Sequence, residues 1–158
     1  MRRIFAGVFF FLSIFAFLTS CARQTGALGK MRAFSEAYGG GIVYSPAVPE
    51  GETGHAGEDF FRDLFGVELR GIEDYAVLFF PSAENGGEAG LFLCRSDADA
   101  MATEEICLAR TELFRKVGAL ASLPFGKDAF VERYGRWVAY AALPDAARAR
   151  RLLRAICS

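Results

Sequence analysis

The sequence is short of the residues that most catalytic and metal sites need. Only one of its 158 residues is a histidine, His55, and it lies in a loop rich in glycine and proline with no cysteine nearby. The four cysteines have neither the spacing of a zinc site nor that of a CxxC redox pair. We therefore predict no catalytic residues, no metal site and no cofactor, and we expect a protein that is not an enzyme.

The sequence also lacks a block of basic residues and an apolar run long enough to span a membrane. The chain has no basic block, since 18 Lys and Arg residues stand against 19 Asp and Glu and the formal net charge is −1. Nucleic-acid binding needs a clustered positive surface, so nucleic acid is excluded as a partner. The longest apolar run, residues 4–18, is shorter than the roughly 20 residues that a membrane-spanning helix requires.

The N-terminus has the order of a secretory signal peptide. Arg2 and Arg3 form a basic head, residues 4–18 form the apolar middle, and two small polar residues then precede Cys21. The ending Leu18-Thr19-Ser20-Cys21 resembles the lipobox of bacterial lipoproteins. The resemblance implies that the signal peptidase recognises Leu18, Thr19 and Ser20, and that Cys21 becomes the lipidated N-terminus. The alternative is an uncleaved membrane helix in which the cysteine is incidental.

A lipid on Cys21 would hold the protein at a membrane without a spanning helix, because two acyl chains give stable anchoring whereas one is marginal. We predict a signal peptide at 1–20, a tether at 21–27 and a single domain at 28–158 with its core at 58–158. Removal of residues 1–20 takes away Arg2 and Arg3 and changes the formal charge to −3. The expected location is the extracytoplasmic face of the cell membrane.

Three cysteines remain after Cys21, namely Cys94, Cys107 and Cys157. An exported protein can form disulfides, and three thiols allow at most one within the chain. The alternative is that all three are small buried apolar residues, as free cysteines often are. The sequence leaves both interpretations open.

Hydrophobic periodicity predicts an α+β domain in the order α-ββ-α-ββ-α. We expect helices near 28–38 and 58–65, a brief extended piece at 42–44, hairpins at 75–94 and 130–143, a long helix from Ser96 and a last helix after Asp145. The first strand of the first hairpin is apolar on both faces and should be central in the sheet, and Gly135-Arg136 should form the tight turn of the second hairpin. The two hairpins should form one antiparallel sheet, with the long helix and the C-terminal helix on one face. The long helix has one apolar stripe, which we expect to pack inward: Ala102, Ile106, Ala109, Leu113, Val117 and Leu120.

Four short stretches resemble an uncharacterised family of bacterial lipoproteins, domain of unknown function 4358. They are Leu64-Phe65-Gly66-Val67, Glu73-Asp74-Tyr75, Gly87-Glu88-Ala89-Gly90-Leu91-Phe92 and Gly135-Arg136-Trp137-Val138. The resemblance covers nearly all of the chain after the lipobox. It implies no catalytic residues, because that family has no established activity.

These observations favour a non-catalytic extracytoplasmic module that is anchored to the membrane by lipid and binds an unidentified protein of the cell envelope. One alternative is a small-ligand-binding lipoprotein. Another is a thiol-dependent enzyme that uses Cys94 or Cys107, which would need an exposed thiol of low pKa beside a base.

Overall fold

The computed structural model of the chain describes residues 26–68, 70–81, 87–121 and 124–158. Within them the class is α+β, as predicted, with four helices and a five-stranded antiparallel sheet. The elements in chain order are α1 (Ala27–Tyr38), β1 (Ile42–Tyr44), α2 (Phe60–Phe65), β2 (Ile72–Phe80), β3 (Gly87–Cys94), α3 (Asp97–Ala121), β4 (Phe130–Tyr134), β5 (Trp137–Ala142) and α4 (Ala146–Cys157).

The sheet has the strand order β1-β2-β3-β5-β4, and all neighbouring strands are antiparallel. Strand β2 is apolar on both faces and is an interior strand, as the sequence predicts. The turn from β4 to β5 contains only Gly135 and Arg136, and Gly135 has a φ of 60°, which glycine adopts without strain. The two-hairpin prediction omits β1, a three-residue edge strand that pairs with the end of β2.

Helix ends follow local signals that are visible in the sequence. The hydroxyl of Ser96 accepts a hydrogen bond from the Asp99 N–H at the start of α3. The carboxylate of Asp145 accepts one from the Arg148 N–H at the start of α4. These side chains satisfy N–H groups that have no partner inside the helix.

Helices α1 and α4 cover one face of the sheet. On this face the strands present four alanines, Ala76, Ala89, Ala139 and Ala141, together with the larger Leu78 and Leu91, and the helices contribute Met31, Phe34 and Leu153. The alanines leave room for the large helix side chains, which gives a dense core. The core begins at Ala27, upstream of the predicted core at 58–158.

The second face has the opposite arrangement. Here the sheet supplies the large aromatic side chains of Tyr75, Phe92 and Tyr140, and α3 supplies small residues such as Ala100 and Cys107. Helix α2 completes this layer, since Phe61 contacts both Tyr75 and Phe92 with edge-to-face geometry.

The prediction that the long helix and the C-terminal helix share one face of the sheet is wrong. In β5, Val138 and Tyr140 pack in the layer of α3, whereas Ala139 and Ala141 pack in the layer of α4. Alternate residues of a strand point to opposite faces, so the two helices lie on opposite sides. The physical reason is that the central strands are apolar on both faces, and each face needs its own cover.

The elements run back and forth between two ends of the domain. The Gly26 end contains Gly26, the start of β2, the end of β3, the β4–β5 turn and the C-terminus of α4. The Asp145 end contains the end of α1, the start of α4 and the segment that precedes β4; there the Tyr38 hydroxyl accepts a hydrogen bond from the Asp145 N–H. Helix α3 starts at the Gly26 end and finishes at the Asp145 end.

Candidate protein-binding face

The outer surface of α3 carries the apolar stripe that the sequence predicts to be buried. We call the stripe of Ala102, Ile106, Ala109, Leu113, Val117 and Leu120 the exposed face. Leu113 is 51% exposed, Val117 is 43% exposed and Leu120 is 89% exposed, while Ile106 is half-buried. The prediction that this stripe packs inward is therefore wrong.

The buried side of α3 is rotated by about a third of a helical turn from the exposed face, and its residues are smaller than those of the exposed face. They are Ala100, Thr103, Cys107, Thr111 and Gly118. A larger side chain does not fit at Gly118, where a Cβ atom would lie 2.8 Å from the Phe125 carbonyl oxygen. The large aromatic side chains of the sheet leave room only for small residues of α3. The small-residue side of α3 therefore packs on the sheet, although the exposed face is more hydrophobic.

The exposed face has the spacing of a helix–helix contact. Ile106, Leu113 and Leu120 recur every seven residues, as do Ala102 and Ala109, which is the a/d pattern of a coiled-coil seam with Lys116 at the next d position. The alanines would let a partner backbone approach closely. Glu105 and Glu112 flank one side of the seam, and Glu112 forms an ion pair with Arg115 at 3.3 Å.

A buried polar cluster holds α3 in this orientation. The carboxylate of Glu88, only 2% exposed, accepts two hydrogen bonds from the Arg110 guanidinium, at 2.9 and 2.7 Å, and one from the Tyr140 hydroxyl. Arg110 also donates to the Leu64 carbonyl oxygen at 3.1 Å, which ties α2 to α3. The cluster thus joins the sheet and both helices of one layer.

Electrostatics within the cluster favour a neutral tyrosine and a charged arginine. Burial, together with the Glu88 carboxylate, raises the pKa of Tyr140 well above its ordinary value. Desolvation lowers the pKa of Arg110, but the hydrogen bond and the charge of Glu88 raise it by more. Gly90 makes room for the ring of Tyr140, since a Cβ atom there would lie 2.1 Å from a ring carbon. The arrangement has the features of a structural brace, with every polar group satisfied.

Two clefts open at the Asp145 end. One, of about 460 Å³, is lined by Tyr38, Gly39, Gly41, Phe80, Pro81, Pro144, Asp145 and Arg148. The other, of about 600 Å³, is lined by Arg115, Lys127, Asp128, Ala129, Pro144, Asp145, Ala146, Ala147 and Arg150. Charged and turn residues dominate both linings, whereas sites for drug-sized ligands are mostly apolar.

Cys94, Cys107 and Cys157 are free thiols in this structure. The first two lie on one side of the sheet and Cys157 lies on the other. Cys94 and Cys107 are buried in the α3 layer, where the Cys94 thiol donates to the Thr103 hydroxyl at 3.4 Å. Cys157 packs against the core of the α4 layer. Among the three cysteines that the structure describes, only Cys94 and Cys107 lie in the same layer.

We expect all three thiols to react slowly with alkylating reagents at pH 7. Burial raises the pKa of each, and that of Cys157 reaches about 11. Because the thiolate is the reactive form, half-buried Cys157 should react roughly 100-fold more slowly than an ordinary cysteine, with a rate that rises with pH up to about 11. The measurement is timed alkylation of a soluble form that begins at Ala22.

Cys157→Ser is the control for that experiment. It should abolish the slow native reaction and leave two thiols that react only in denaturant. Fast labelling of Cys94 or Cys107 at neutral pH would instead support the thiol-dependent enzyme.

His55 and the acidic first turn of α3 have structural partners. A ring nitrogen of His55 lies 2.7 Å from the Val48 carbonyl oxygen, within its loop. Asp99 accepts a hydrogen bond from the Ser96 hydroxyl, consistent with helix capping. Within the ranges that the structure describes, no group of three or more histidine, cysteine or acidic residues could hold a metal ion.

The predicted lipobox residues, Leu18, Thr19, Ser20 and Cys21, lie outside the described residues, as does the whole of 1–25. Across the described parts of the chain, no helix is both long enough and apolar enough to span a bilayer.

Comparisons with known proteins identify no relative. No protein-family model, no curated protein and no solved structure matches the chain. The resemblance to domain of unknown function 4358 therefore stays a prediction.

Proposed function

We propose that the protein is a lipid-anchored, extracytoplasmic module of the bacterial envelope that binds another envelope protein without catalysing a reaction. The observation that carries the binding role is the exposed face of α3. Of the six large hydrophobic side chains that are exposed among the described residues, three belong to this face, namely Leu113, Val117 and Leu120. Such concentrations of exposed apolar surface mark interaction sites in soluble domains.

A helix of the partner is the occupant that best fits this face. The seven-residue spacing of Ile106, Leu113 and Leu120 matches a seam into which side chains of a second helix insert. Glu105 flanks the seam, whereas Glu112 is paired with Arg115 at 3.3 Å and with Lys116 at 4.0 Å, so the apolar spacing and not charge carries the choice of partner.

The lipobox supports the anchored location, and its test is direct. We expect the cellular protein to incorporate labelled palmitate and to enter the detergent phase after phase separation, with an intact mass that begins at lipidated Cys21. Cys21→Ser should lose both the label and the partitioning. Cys157→Ser is the matched control and should keep both. An unacylated product that begins at Met1, or one that is cut elsewhere, would refute the anchor.

The binding role is tested by photo-crosslinking in intact cells from single positions on α3. A crosslinker at Leu120 should yield one discrete adduct with another protein, which Leu113→Lys in the same chain abolishes. Leu108 is the control, since it is 46% exposed on the same helix but lies outside the exposed face. Equal adducts from Leu108, an adduct of two copies of this chain, or an adduct with lipid would each contradict the proposal.

Lysine at position 113 should leave the fold intact. Because the side chain is exposed, we expect Leu113→Lys to change the free energy of unfolding by no more than about 0.5 kcal/mol. This separates loss of the partner adduct from loss of structure.

A small-ligand carrier is the second candidate function. The cleft of about 600 Å³ favours it, because Arg115, Lys127 and Arg150 line it and could attract an anion. Two of these cations already have partners, however, since Arg115 donates to the Ala129 carbonyl oxygen and Arg150 pairs with Glu132. We therefore place this function behind protein binding.

A further inference from the structure

The first turn of α1 packs against the β4–β5 turn and the C-terminus of α4. The Lys30 ammonium lies 5.4 Å from the centre of the Trp137 ring and donates a hydrogen bond to the Ile156 carbonyl oxygen. Next to them, the Ala27 N–H donates to the Asp74 carboxylate at 2.7 Å. These contacts place Trp137, Asp74 and the C-terminus of α4 beside the start of α1 at the Gly26 end.

The segment between the lipidation position and this surface is short. Five residue steps separate Cys21 from Gly26, and a fully extended chain covers at most about 18 Å in five steps. Helix α3, with 25 residues, is about 37 Å long. A lipid on Cys21 can therefore hold the Gly26 end at the bilayer, but its tether is too short to reach past the domain to the Asp145 end.

We propose that the domain stands upright on the membrane, with the Gly26 end in contact with the lipid headgroups and the Asp145 end pointing away. This inference rests on the lipid anchor proposed above. The contact surface contains half-buried Trp137, a residue type that prefers the interface between membrane and water. Arg136 beside it pairs with Glu73 at 3.3 Å and donates to the carbonyl oxygens of Cys94 and Arg95, so the membrane contact of this surface depends on Trp137 and on the short tether.

The orientation narrows the class of partner. Leu113 and Leu120 lie 16 and 23 residues beyond the start of α3, which places them roughly 24 and 35 Å along the helix from the Gly26 end. A helix that binds the exposed face must therefore run beside the domain at this height. The partner is then a protein with an extracytoplasmic helical part that projects from the membrane, and not one confined to the bilayer.

The competing orientation lays α4 flat on the bilayer through Arg148, Arg150, Arg151 and Arg154. Three of these side chains already bind within the domain. Arg148 donates to the Ala37 carbonyl oxygen at 2.7 Å, and Arg150 and Arg154 both contact the Glu132 carboxylate. Their attraction to a lipid surface is correspondingly reduced, which favours the upright orientation.

The sequence provides its own probe, because Trp137 is the only tryptophan. The full lipidated protein is reconstituted into vesicles of phosphatidylcholine and anionic phosphatidylglycerol, with and without bromine on the acyl chains near the headgroups. We expect bromine to decrease Trp137 emission, and we expect the emission to shift to the blue relative to the protein in detergent. Salt at about 0.5 M should not alter the quenching, because the covalent anchor and not charge sets the orientation.

A second variant moves the probe to the opposite end. Trp137→Phe combined with Ala147→Trp places the tryptophan at an exposed position in the first turn of α4. Bromine should leave its emission unchanged if the domain stands upright. Equal quenching of the two probes, or quenching that salt removes, would show that α4 lies flat and would overturn the orientation. A protein that does not float with the vesicles refutes the anchor itself, whereas one that floats with Trp137 unquenched refutes only the orientation.

Discussion

Replacing Glu88 with alanine should lower the free energy of unfolding by about 3–5 kcal/mol, because it leaves the Arg110 guanidinium without its carboxylate inside the domain. The carboxylate is almost fully buried, and it binds both Arg110 and the Tyr140 hydroxyl. Urea unfolding of a soluble form that begins at Ala22 measures the effect. We also expect faster hydrogen exchange in α2, since Arg110 binds the Leu64 carbonyl oxygen.

Glu104→Ala is the matched control for this variant. Glu104 pairs with Arg133 at 3.5 Å, and their side chains are 35% and 37% exposed. A pair with this exposure contributes less than about 1 kcal/mol. Combining Glu88→Leu with Arg110→Met should recover much of the lost stability, because it removes both charges together. Similar losses for Glu88→Ala and Glu104→Ala would contradict the role of the cluster as a brace.

Replacing Phe92 with alanine should cost about 3–5 kcal/mol of unfolding free energy, the usual range for truncating a buried aromatic ring. Phe92 is fully buried on a central strand and contacts four aromatic rings, those of Phe61, Phe65, Tyr75 and Tyr140. The surrounding rings are held by the sheet and by α2, so they cannot collapse into the space. Thermal and urea unfolding both report the loss.

Phe79→Ala provides the comparison. Phe79 is half-buried near the edge strand β1 and, among the described residues, its ring contacts are those with Tyr44 and Phe60. Because solvent already reaches it, we expect a clearly smaller loss than for Phe92→Ala. An equal loss would mean that the aromatic layer does not have its centre at Phe92.

Local patterns account for the elements that the sequence predicts well. The Ser96 and Asp145 caps, the Gly135-Arg136 turn and the apolar run of β2 all act through neighbours a few residues away, and the structure contains each of them. Strand β1 shows where this approach ends. Its three residues become a strand only because the end of β2 lies beside them.

The candidate binding face was not predictable from periodicity alone. The stripe of Leu113 and Leu120 has the stronger apolar pattern, and by that criterion it should be buried. Which side of α3 is buried depends instead on the aromatic rings of the sheet that α3 contacts. These rings belong to strands that are distant from α3 in the chain. Tyr140 and Glu88 are 52 residues apart, and Arg110 and Glu88 are 22 apart.

The sequence by itself determined the class of the fold, the ends of its helices and the position of its tight turn, because these depend on short-range backbone geometry and capping. Only the tertiary structure decided that the two long helices lie on opposite faces of the sheet and that the more apolar side of α3 points outward. The reason is packing between layers. Large side chains on one layer require small ones on the other, and that condition is met only when distant strands come together.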